Sequence, residues 1–490
     1  MAAIVLAVIN AKWIHPSLAV RLLKANLPGG LQDDSAIMEF AQRQPLEEKL
    51  TPILAAAPRI LAFSVSIWNH GLTLELLEKL EQAWSSNPAC TAPFIILGGP
   101  ELTPLPPETA IFRFADFVIR GEGEEVFPRL CQAVLEDPAE AKTRYGKFIQ
   151  ADPVDLNAIK PGYDLYTDED LKNKLIYVEA SRGCPYACGF CQSAVKPKTA
   201  FLVREFPPEV FLARLDRLLC RIKNGKQPKN GAPRTIKFLD RSFNVNIPWA
   251  LEILEYCLTK TTEETENGNH FQFHFEMVPV VFPKTLRTMI ARFPPGSLRL
   301  EIGIQSLNPQ TCALIQRTSN PERELEVLRF LRRETSALVH ADLIAGLPGE
   351  DLVSFGRGFD KLWIALGGAF NEIQLGILKC LPGTPVHTMA EAGTNKLIYS
   401  KTAPYEVLTT DKLSLTDMEK IKNFARFWEL IVNRQLLPLP PDKPVFARFM
   451  ELSQQLFRHF GRNWGLPKEE LRETAGLLFP AIEKTEEASA

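Results

Sequence analysis

Three cysteines, Cys184, Cys188 and Cys191, stand in one short stretch of the chain. Three thiolates in a short loop can hold three irons of a cubane iron–sulfur cluster. Their spacing supplies no fourth protein ligand, so one iron stays open to a small molecule. The sequence therefore predicts a [4Fe–4S] cluster with one corner for a ligand that is not part of the protein.

Two other uses of this cysteine loop fit the sequence less well. A structural zinc site needs a fourth Cys or His nearby, and none lies between Glu179 and Lys198. A disulfide with a spare thiol is unusual in a reducing compartment, which the odd total of nine cysteines favours. We expect most of the remaining cysteines to be buried in the core: Cys90, Cys131, Cys220, Cys257, Cys312 and Cys380.

Six apolar strands alternate with helical segments around and after the cysteine loop. The predicted strands are 175–179, 235–239, 271–276, 298–304, 339–344 and 372–378, with helices such as 208–223, 248–258 and 321–334. This alternation predicts a parallel (β/α) barrel of the TIM type, closed or partial. The cysteines follow the first strand and therefore lie at the mouth of the barrel, where such folds carry their active sites.

A second alternating series occupies residues 1–145. Apolar runs at 4–9, 60–67, 94–97 and 117–119 are separated by helical stretches such as 17–27 and 73–84. Continuous apolar strands between helices predict a Rossmann-like, doubly wound parallel sheet, which binds ligands at the carboxyl ends of its strands. We interpret residues 146–172 as a linker, 173–400 as the barrel domain and 401–490 as a mostly helical C-terminal region.

The overall composition excludes several classes of protein. With 46% hydrophobic and 23% charged residues, the chain can build large cores and is not disordered. A formal net charge of −2 gives no strong nucleic-acid signal and no attraction to an anionic membrane. The N-terminus lacks the features of a signal peptide, and no apolar run approaches the length of a membrane span. We expect a cytoplasmic protein.

The cysteine triad, with aromatic Phe190 before its last member, resembles the signature of the radical S-adenosylmethionine (radical SAM) superfamily. The resemblance implies that the open iron binds the amino and carboxylate groups of S-adenosylmethionine. It also implies that the reduced cluster cleaves this sulfonium to a 5′-deoxyadenosyl radical, which abstracts hydrogen from unactivated carbon. The implied partners are a small-molecule substrate and a reductant such as flavodoxin or ferredoxin.

The same resemblance places S-adenosylmethionine contacts at the later strand ends. Asp240 and Asn244 follow the second strand, although they could instead cap the next helix. Glu301 and Gln305 share one face of the fourth strand, where a structural salt bridge is the alternative. Gly346 follows the fifth strand, where a simple turn is compatible with both interpretations. The predicted contacts are Phe190, Asp240, Asn244, Glu301, Gln305 and Gly346.

The N-terminal strand ends resemble the cobalamin-binding domain that precedes many radical SAM barrels. The segments that carry this resemblance are 10–19, 63–69, 97–100 and 120–124, extended by 240–244 and 271–276. Glycines there would let the nucleotide tail of cobalamin pass between strand ends, although any doubly wound sheet needs tight turns. The predicted cobalamin contacts are Asn10, Ser64, Ser66, Gly98, Gly99, Gly121, Glu122 and Gly123.

One departure concerns the cobalt. The Asp-x-His-x-x-Gly pattern, which supplies a histidine ligand in cobalamin mutases, is absent, because His15 has Trp13 two residues before it. We therefore expect cobalt without a protein histidine beneath it. A domain that keeps the fold but has lost the cofactor is the alternative.

The two resemblances together imply cobalamin-dependent methylation of an unactivated carbon. The alternatives are a cobalamin-associated radical cyclase or oxidoreductase and a non-catalytic cobalamin or redox sensor. A methylthio-transferring enzyme would need a second set of three cysteines, and the remaining cysteines are too dispersed to form one.

Overall fold

The computed structural model of the chain describes residues 2–86, 91–195, 203–224, 233–266, 270–367 and 371–489. The chain divides into two compact units. Unit 1 comprises Met1–Arg182 and Arg204–Leu239, and unit 2 comprises Gly183–Val203 and Asp240–Ala490. The cysteine loop therefore belongs to unit 2.

Unit 1 begins with alternating strands and helices. Its strands are β1 (Ile4–Asn10), β2 (Ser35–Ala41), β3 (Ile60–Ser64), β4 (Phe94–Gly98), β5 (Phe117–Arg120), β6 (Phe148–Gln150), β7 (Ile176–Val178), β8 (Ser181–Arg182), β9 (Arg204–Glu205) and β10 (Arg234–Phe238). Its helices are α1 (Leu18–Ala25), α2 (Gly29–Asp33), α3 (Leu46–Ala56), α4 (His70–Ser86), α5 (Val126–Glu136), α6 (Pro138–Tyr145), α7 (Asp168–Asn173) and α8 (Pro208–Asn224), with 3₁₀ turns at Ala110–Phe114 and Tyr163–Leu165.

The first six strands form one parallel sheet in the order β2-β1-β3-β4-β5-β6. Every residue of β1 is buried, because apolar cores cover both faces of the sheet. Side chains of α3 and α4 pack on one face, and those of α1, α5 and α6 pack on the other. The predicted doubly wound sheet is confirmed.

The sheet has two strands that the sequence did not predict, β2 and β6. Both lie at edges of the sheet. Five of the seven residues of β2 are only partly buried, so the strand lacks the continuous apolar run that marks its central neighbours. Strand β6 has only three residues, too few to show a pattern.

Residues 146–172 are packed against the rest of unit 1. They include β6 and α7, and Ile159, Tyr163 and Tyr166 are buried. The guanidinium of Arg21 in α1 lies 2.7 Å from both Asp170 and Glu39. The composition that suggested a linker does not reveal this packing, because it depends on partners far away in sequence.

Unit 2 contains the remaining elements. Its strands are β11 (Phe271–Met277), β12 (Leu298–Gln305), β13 (Leu338–Ala345), β14 (Glu372–Ile377), β15 (Ile398–Tyr399) and β16 (Val407–Thr409). Its helices are α9 (Ile247–Glu266), α10 (Lys284–Ala291), α11 (Pro309–Leu314), α12 (Pro321–Glu334), α13 (Leu352–Leu366), α14 (Pro385–Glu391), α15 (Leu415–Trp428), α16 (Phe446–Phe460) and α17 (Lys468–Ser489), with 3₁₀ turns at Gln192–Ala194 and Thr394–Lys396 and a π-helical turn at Glu429–Asn433.

Strands β11 to β14 pair in parallel, each with the next along the chain. Burial alternates along β12 and β13, so each strand turns one apolar and one polar row to opposite faces. The polar row carries ionisable groups in register, because Glu276 pairs with Glu301, Glu301 with His340, and His340 with Glu372.

The C-terminal region is mostly helical, as predicted. In its core, Phe424 and Trp428 of α15 stack on each other and contact Phe446 and Phe449 of α16. Among the helices in the described part of the chain, none is both long and apolar enough to cross a bilayer.

Candidate functional site

A cavity of about 230 Å³ in unit 2 brings the three cysteines together with several strand-end residues. Of the predicted S-adenosylmethionine contacts, Phe190, Glu301 and Gln305 line it, whereas Asp240, Asn244 and Gly346 do not. The other lining residues are Tyr186, Ser193, Arg241, Glu276, Met277, Val278, Pro279, Gly303, Arg317, Thr318 and Asp342.

The backbone of the cysteine loop is fixed at its centre. The Gly189 amide donates to the Ile315 carbonyl at 2.7 Å, and the Cys191 amide donates to the Cys188 carbonyl at 3.0 Å. A Cβ on Gly189 would lie 3.2 Å from the Ile315 oxygen, so glycine allows this close approach. The loop is therefore held on one side while its thiols face the cavity.

The thiols share the cavity without forming a closed metal site. Within the ranges that the structure describes, no three His, Cys, Asp or Glu side chains are grouped closely enough to hold a metal ion. Burial, more than the charges of Cys191 and Cys184, raises the pKa of the Cys188 thiol, and Arg317 acts in the opposite direction. The donor set of three thiols on one cavity fits a cluster with an open corner.

Arg317 is a site residue that the sequence did not reveal. Its guanidinium donates to the Gly303 carbonyl at 2.5 Å and opposes the rise that burial causes in the pKa of the Cys188 thiol. It thereby joins strand β12 to the cysteine loop. An arginine after a short helix carries no recognisable signal in a single sequence.

Strand β12 presents its polar residues through an irregular end. Its pairing with β13 shifts between Gly303 and Gln305, and Gln305 has a left-handed φ of 67°. Farther back, Glu301 lies 3.3 Å from His274 of β11. This contact corresponds to the structural alternative foreseen for Glu301, yet the same residue also lines the cavity.

The remaining predicted S-adenosylmethionine contacts lie in the wall or farther away. Asn244 is completely buried, donates to the carbonyls of Val278 and Val281, and accepts from the Val278 amide. Because Val278 lines the cavity, Asn244 holds its wall. Asp240 is also completely buried. A Cβ on Gly346 would lie 3.0 Å from Met418, which shows that this turn packs against α15.

The helix after Asp240 and Asn244 uses a different residue near its start. Helix α9 begins at Ile247, and the side chain of Asn246 accepts a long 3.5 Å hydrogen bond from the Trp249 amide. Asn246 is therefore the residue whose side chain caps the start of α9.

A network of charged groups extends along the polar face of β12, β13 and β14. His340 lies 3.2 Å from both Asp342 and Glu372, and Arg299 lies 2.7 Å from Glu372. Burial alone would lower the pKa of His340, but its hydrogen bonds to Asp342 and Glu372 outweigh burial and raise this pKa to about 9. The imidazole is therefore a cation at neutral pH, beside a carboxylate that lines the cavity.

We expect the stabilising effect of His340 to depend on pH. A pKa that rises from 6.5 to about 9 on folding stabilises the protein fully below pH 6.5, and this stabilisation is lost as the pH rises through 9. The variant His340→Gln should lower the free energy of unfolding by on the order of 3 kcal/mol at pH 6. Denaturant titrations at several pH values measure this difference.

The matched control for this experiment is His459→Gln, because His459 is exposed. This control should have the same free energy of unfolding as the wild type at every pH. A loss in His340→Gln that stays constant from pH 6 to pH 10 would contradict the assignment of a charged imidazole.

A second cavity, of about 440 Å³, lies within unit 1. It opens between the carboxyl ends of β3, β4 and β5 and the apolar side of α1. Among the predicted cobalamin contacts, the ones that line it are Ser64, Gly98, Gly99, Gly121, Glu122 and Gly123. Asn10 and Ser66 are buried next to these strand ends, where Asn10 donates to Glu39 and the Ser66 amide donates to Asn69.

Two of the cavity glycines are required by the backbone itself. Gly99 has a φ of +113°, and a Cβ there would lie 2.3 Å from the Val65 carbonyl oxygen. Gly121 has a φ of +98°, and its Cβ would lie 2.7 Å from the Ala151 oxygen. The turns need glycine whether or not a ligand binds. Because these glycines carry no side chains, the turns also leave the cavity above them open.

A buried ion cluster closes one side of this cavity. Arg182 lies 2.6 Å from Glu124, 2.9 Å from Glu179 and 3.1 Å from Glu122, and its side chain is only 10% exposed. Arg204 also contacts Glu122, which in addition accepts the Val154 amide at 3.0 Å. The Glu122 carboxylate is thus engaged by protein groups. Glu122 of this turn was identified from the sequence, but its arginine partners were not.

His15 is turned toward the protein. Its ring stacks on Tyr177 and its Nδ1 lies 2.6 Å from the tyrosine hydroxyl. Burial, followed by the charges of Lys12 and Lys237, lowers the pKa of His15. Among the described residues that line the cavity of unit 1, there is no histidine.

Known proteins resemble the chain in both sequence and fold. Residues 178–357 match the family model of the Radical SAM superfamily. One similar structure is the radical S-adenosylmethionine methyltransferase TsrM from Kitasatospora setae, solved with tryptophan substrate and a SAM analog. The alignment covers 100% of each chain, with 15% sequence identity and a TM-score of 0.62. Another is the cobalamin-dependent S-adenosylmethionine radical enzyme OxsB, solved with aqua-cobalamin. The alignment covers 100% of this chain and 81% of the OxsB chain, with 16% sequence identity and a TM-score of 0.61.

A curated relative matches over a shorter stretch. Anaerobilin synthase of Escherichia coli O157:H7 is 33% identical over 98 residues, which are 20% of this chain and 21% of that protein. The match therefore spans about a fifth of that relative's length. Together with the family match, the shared architecture confirms the predicted radical SAM domain and the parallel sheet that precedes it.

Proposed function

We propose, from the match of residues 178–357 to the family model of the Radical SAM superfamily, that the chain is a cobalamin-dependent methyltransferase acting on an unactivated carbon. The observation that carries the proposal is the presence of two cavities. One is lined by Cys184, Cys188 and Cys191, and the other lies at the carboxyl edge of a Rossmann-like sheet.

The first cavity has the donors that a cluster and S-adenosylmethionine require. The three thiols would ligate the cluster, and S-adenosylmethionine would occupy the remaining space beside Glu301 and Gln305. A carboxylate accepts from the ammonium group of this ligand, and an amide can bind its carboxylate or ribose. When bound, these groups supply the electron and the sulfonium from which the 5′-deoxyadenosyl radical forms.

The walls of this cavity control which groups reach the reacting atoms. Met277, Val278 and Pro279 supply an apolar border, and Asn244 fixes it through the backbone of residue 278. Asp342 of β13, which contacts the charged His340, adds a hydrogen-bond acceptor to the cavity wall. An apolar wall with a few oriented polar groups excludes water while fixing the substrate.

The second cavity fits the nucleotide tail of cobalamin. Its walls are apolar residues of α1 and the strands, and its rim consists of glycine turns that add no side chains. The TsrM and OxsB folds support cobalamin as the ligand, since OxsB was solved with aqua-cobalamin. The Nδ1 atom of His15 contacts the hydroxyl of Tyr177, which supports cobalt without a protein histidine ligand.

A pair of products tests the proposal. Anaerobically reconstituted protein would be incubated with cobalamin, a low-potential reductant, S-adenosylmethionine and a small-molecule extract of anaerobic cells. We expect both 5′-deoxyadenosine and S-adenosylhomocysteine, because one S-adenosylmethionine is cleaved and a second donates the methyl group. Chromatography with mass detection quantifies both, and omission of cobalamin should remove only S-adenosylhomocysteine.

Other results would change the assignment. Deoxyadenosine alone, with or without cobalamin, would replace methyl transfer with radical cyclisation or oxidoreduction. An intact cluster that cleaves no S-adenosylmethionine would favour a sensor.

We also propose that flavodoxin or ferredoxin supplies the electron and that the protein works in the cytoplasm. Among the described residues, all eight cysteines are free thiols, which suits a reducing compartment.

A further inference from the structure

The tryptophans of unit 1 are unevenly distributed over its surface. Three tryptophans in the described chain are strongly exposed, and two of them, Trp13 at 54% and Trp68 at 48%, follow neighbouring strands. Ile14, beside Trp13, is 39% exposed. Large apolar side chains grouped at one sheet edge are uncommon on a free surface and mark binding sites.

The two tryptophans flank the point where the strand order of the sheet reverses. Strand β1 pairs with β2 on one side and with β3 on the other. Trp13 follows β1 and Trp68 follows β3, so their loops leave the sheet on either side of this reversal. In open parallel sheets, ligands bind in the crevice that forms there, beyond the carboxyl ends of the strands.

Hydrogen bonds fix these loops to each other. Asn69, completely buried, donates to the Ile9 carbonyl at 2.9 Å and to the Ser64 carbonyl at 3.2 Å. The side chain of Gln42 donates to the Trp68 carbonyl, and the Gln42 amide donates to the Asn10 carbonyl at 2.9 Å. The loops after β1, β2 and β3 therefore form one ordered rim.

The loop after β1 is also held from outside the sheet. The Leu175 amide donates to the Ile14 carbonyl at 3.0 Å, and the Lys174 ammonium lies 5.6 Å from the centre of the Trp13 ring. His15 packs on Tyr177. The loop thus presents Trp13 and Ile14 to solvent while its imidazole faces the protein.

The size of the nearby cavity leaves a large part of cobalamin outside it. A cavity of about 440 Å³ suits a drug-sized group. Cobalamin is much larger, so the cavity can take the nucleotide tail while the flat ring lies at the strand ends. Ser64 lines the cavity, and its carbonyl accepts a hydrogen bond from Asn69 of the rim at 3.2 Å, so the cavity adjoins the rim.

We infer that Trp13 and Trp68 form the platform on which the corrin ring of cobalamin rests. This inference depends on the proposed cobalamin function and assigns the ring to specific residues. A corrin has broad apolar faces, and each tryptophan can bury its exposed part, 54% for Trp13 and 48% for Trp68, against such a face at little entropic cost.

Affinity measurements test the platform. Equilibrium dialysis would compare cobalamin with cobinamide, which keeps the corrin ring but lacks the nucleotide tail. Trp13→Ala and Trp68→Ala should each weaken both ligands by about tenfold, since each removes a contact with the ring. Trp13→Phe should recover most of the loss. Because both tryptophans are exposed, the melting temperature should change little.

The matched control is Trp464→Ala, because Trp464 is exposed at 65% in unit 2. This variant should bind cobalamin and cobinamide with wild-type affinity. Wild-type affinity in Trp13→Ala and Trp68→Ala would overturn the platform while leaving the cobalamin proposal in place. Weakening of cobalamin but not of cobinamide would overturn it too, because the tryptophans would then act on the tail. A wild type that binds neither corrin would refute both the cobalamin proposal and the platform.

Discussion

Replacing Cys188 with alanine should abolish both cluster assembly and cleavage of S-adenosylmethionine. The wild type should hold about four irons per chain after anaerobic reconstitution, because three thiolates retain a cubane. With two thiolates left, the iron content should fall below about one per chain, and 5′-deoxyadenosine formation should drop by about a thousandfold. Iron and sulfide assays, visible absorption and product chromatography provide the measurements.

The control for this variant is Cys220→Ala. Cys220 is exposed on α8 of unit 1, so this change removes a thiol without disturbing the loop. It should retain full iron and full cleavage. Full iron in the Cys188 variant, or zinc in anaerobically isolated protein, would refute the cluster assignment.

Replacing Arg182 with alanine should strongly destabilise unit 1. The change leaves Glu124 and Glu179 without their guanidinium partner and Glu122 with Arg204 alone, in a site where Arg182 is 10% exposed and Glu124 is 8% exposed. Removing one partner of a buried ion cluster costs about 3–5 kcal/mol of unfolding free energy. Denaturant unfolding monitored by circular dichroism measures the loss.

The acid range provides a second readout for the Arg182 variant. Its destabilisation should diminish below about pH 5, because Glu179, whose pKa burial raises and Arg182 lowers, then takes up a proton. The exposed pair of Arg129 with Glu125 supplies the control, since Arg129 is 70% exposed. Arg129→Ala should cost no more than about 1 kcal/mol. Equal losses in the two variants would show that the cluster does not stabilise the fold.

The central strands could be predicted from two patterns, because β1 is apolar over almost its whole length and β12 and β13 alternate apolar with polar residues. The predicted strands at 298–304 and 339–344 correspond to Leu298–Gln305 and Leu338–Ala345, and helix Pro321–Glu334 has the predicted bounds. The edge strands were not predicted because five of the seven residues of β2 are only partly buried and β6 has only three residues. The predicted strand at 60–67 ends earlier, at Ser64, and a turn follows in which the Asn69 amide donates to the Ser66 carbonyl at 3.0 Å.

The candidate site was predictable only where the chain itself brings residues together. The cysteine loop is local, so its spacing shows its chemistry directly. Arg182, Arg317 and His340 gain their roles from residues distant in sequence, and isolated cations give no signal before the fold is known. For His340 a faint signal existed, because it alternates with Asp342 on one predicted strand.

The left-handed backbone of Gln305 has a consequence for protein engineering. A side chain other than glycine or asparagine in this conformation costs roughly 1 kcal/mol, and Gln305 incurs this cost while holding its amide against the cavity. A search for heat-resistant variants would favour glycine there and lose the amide in the same step. Thermal resistance and the proposed contact with S-adenosylmethionine therefore compete at a single residue.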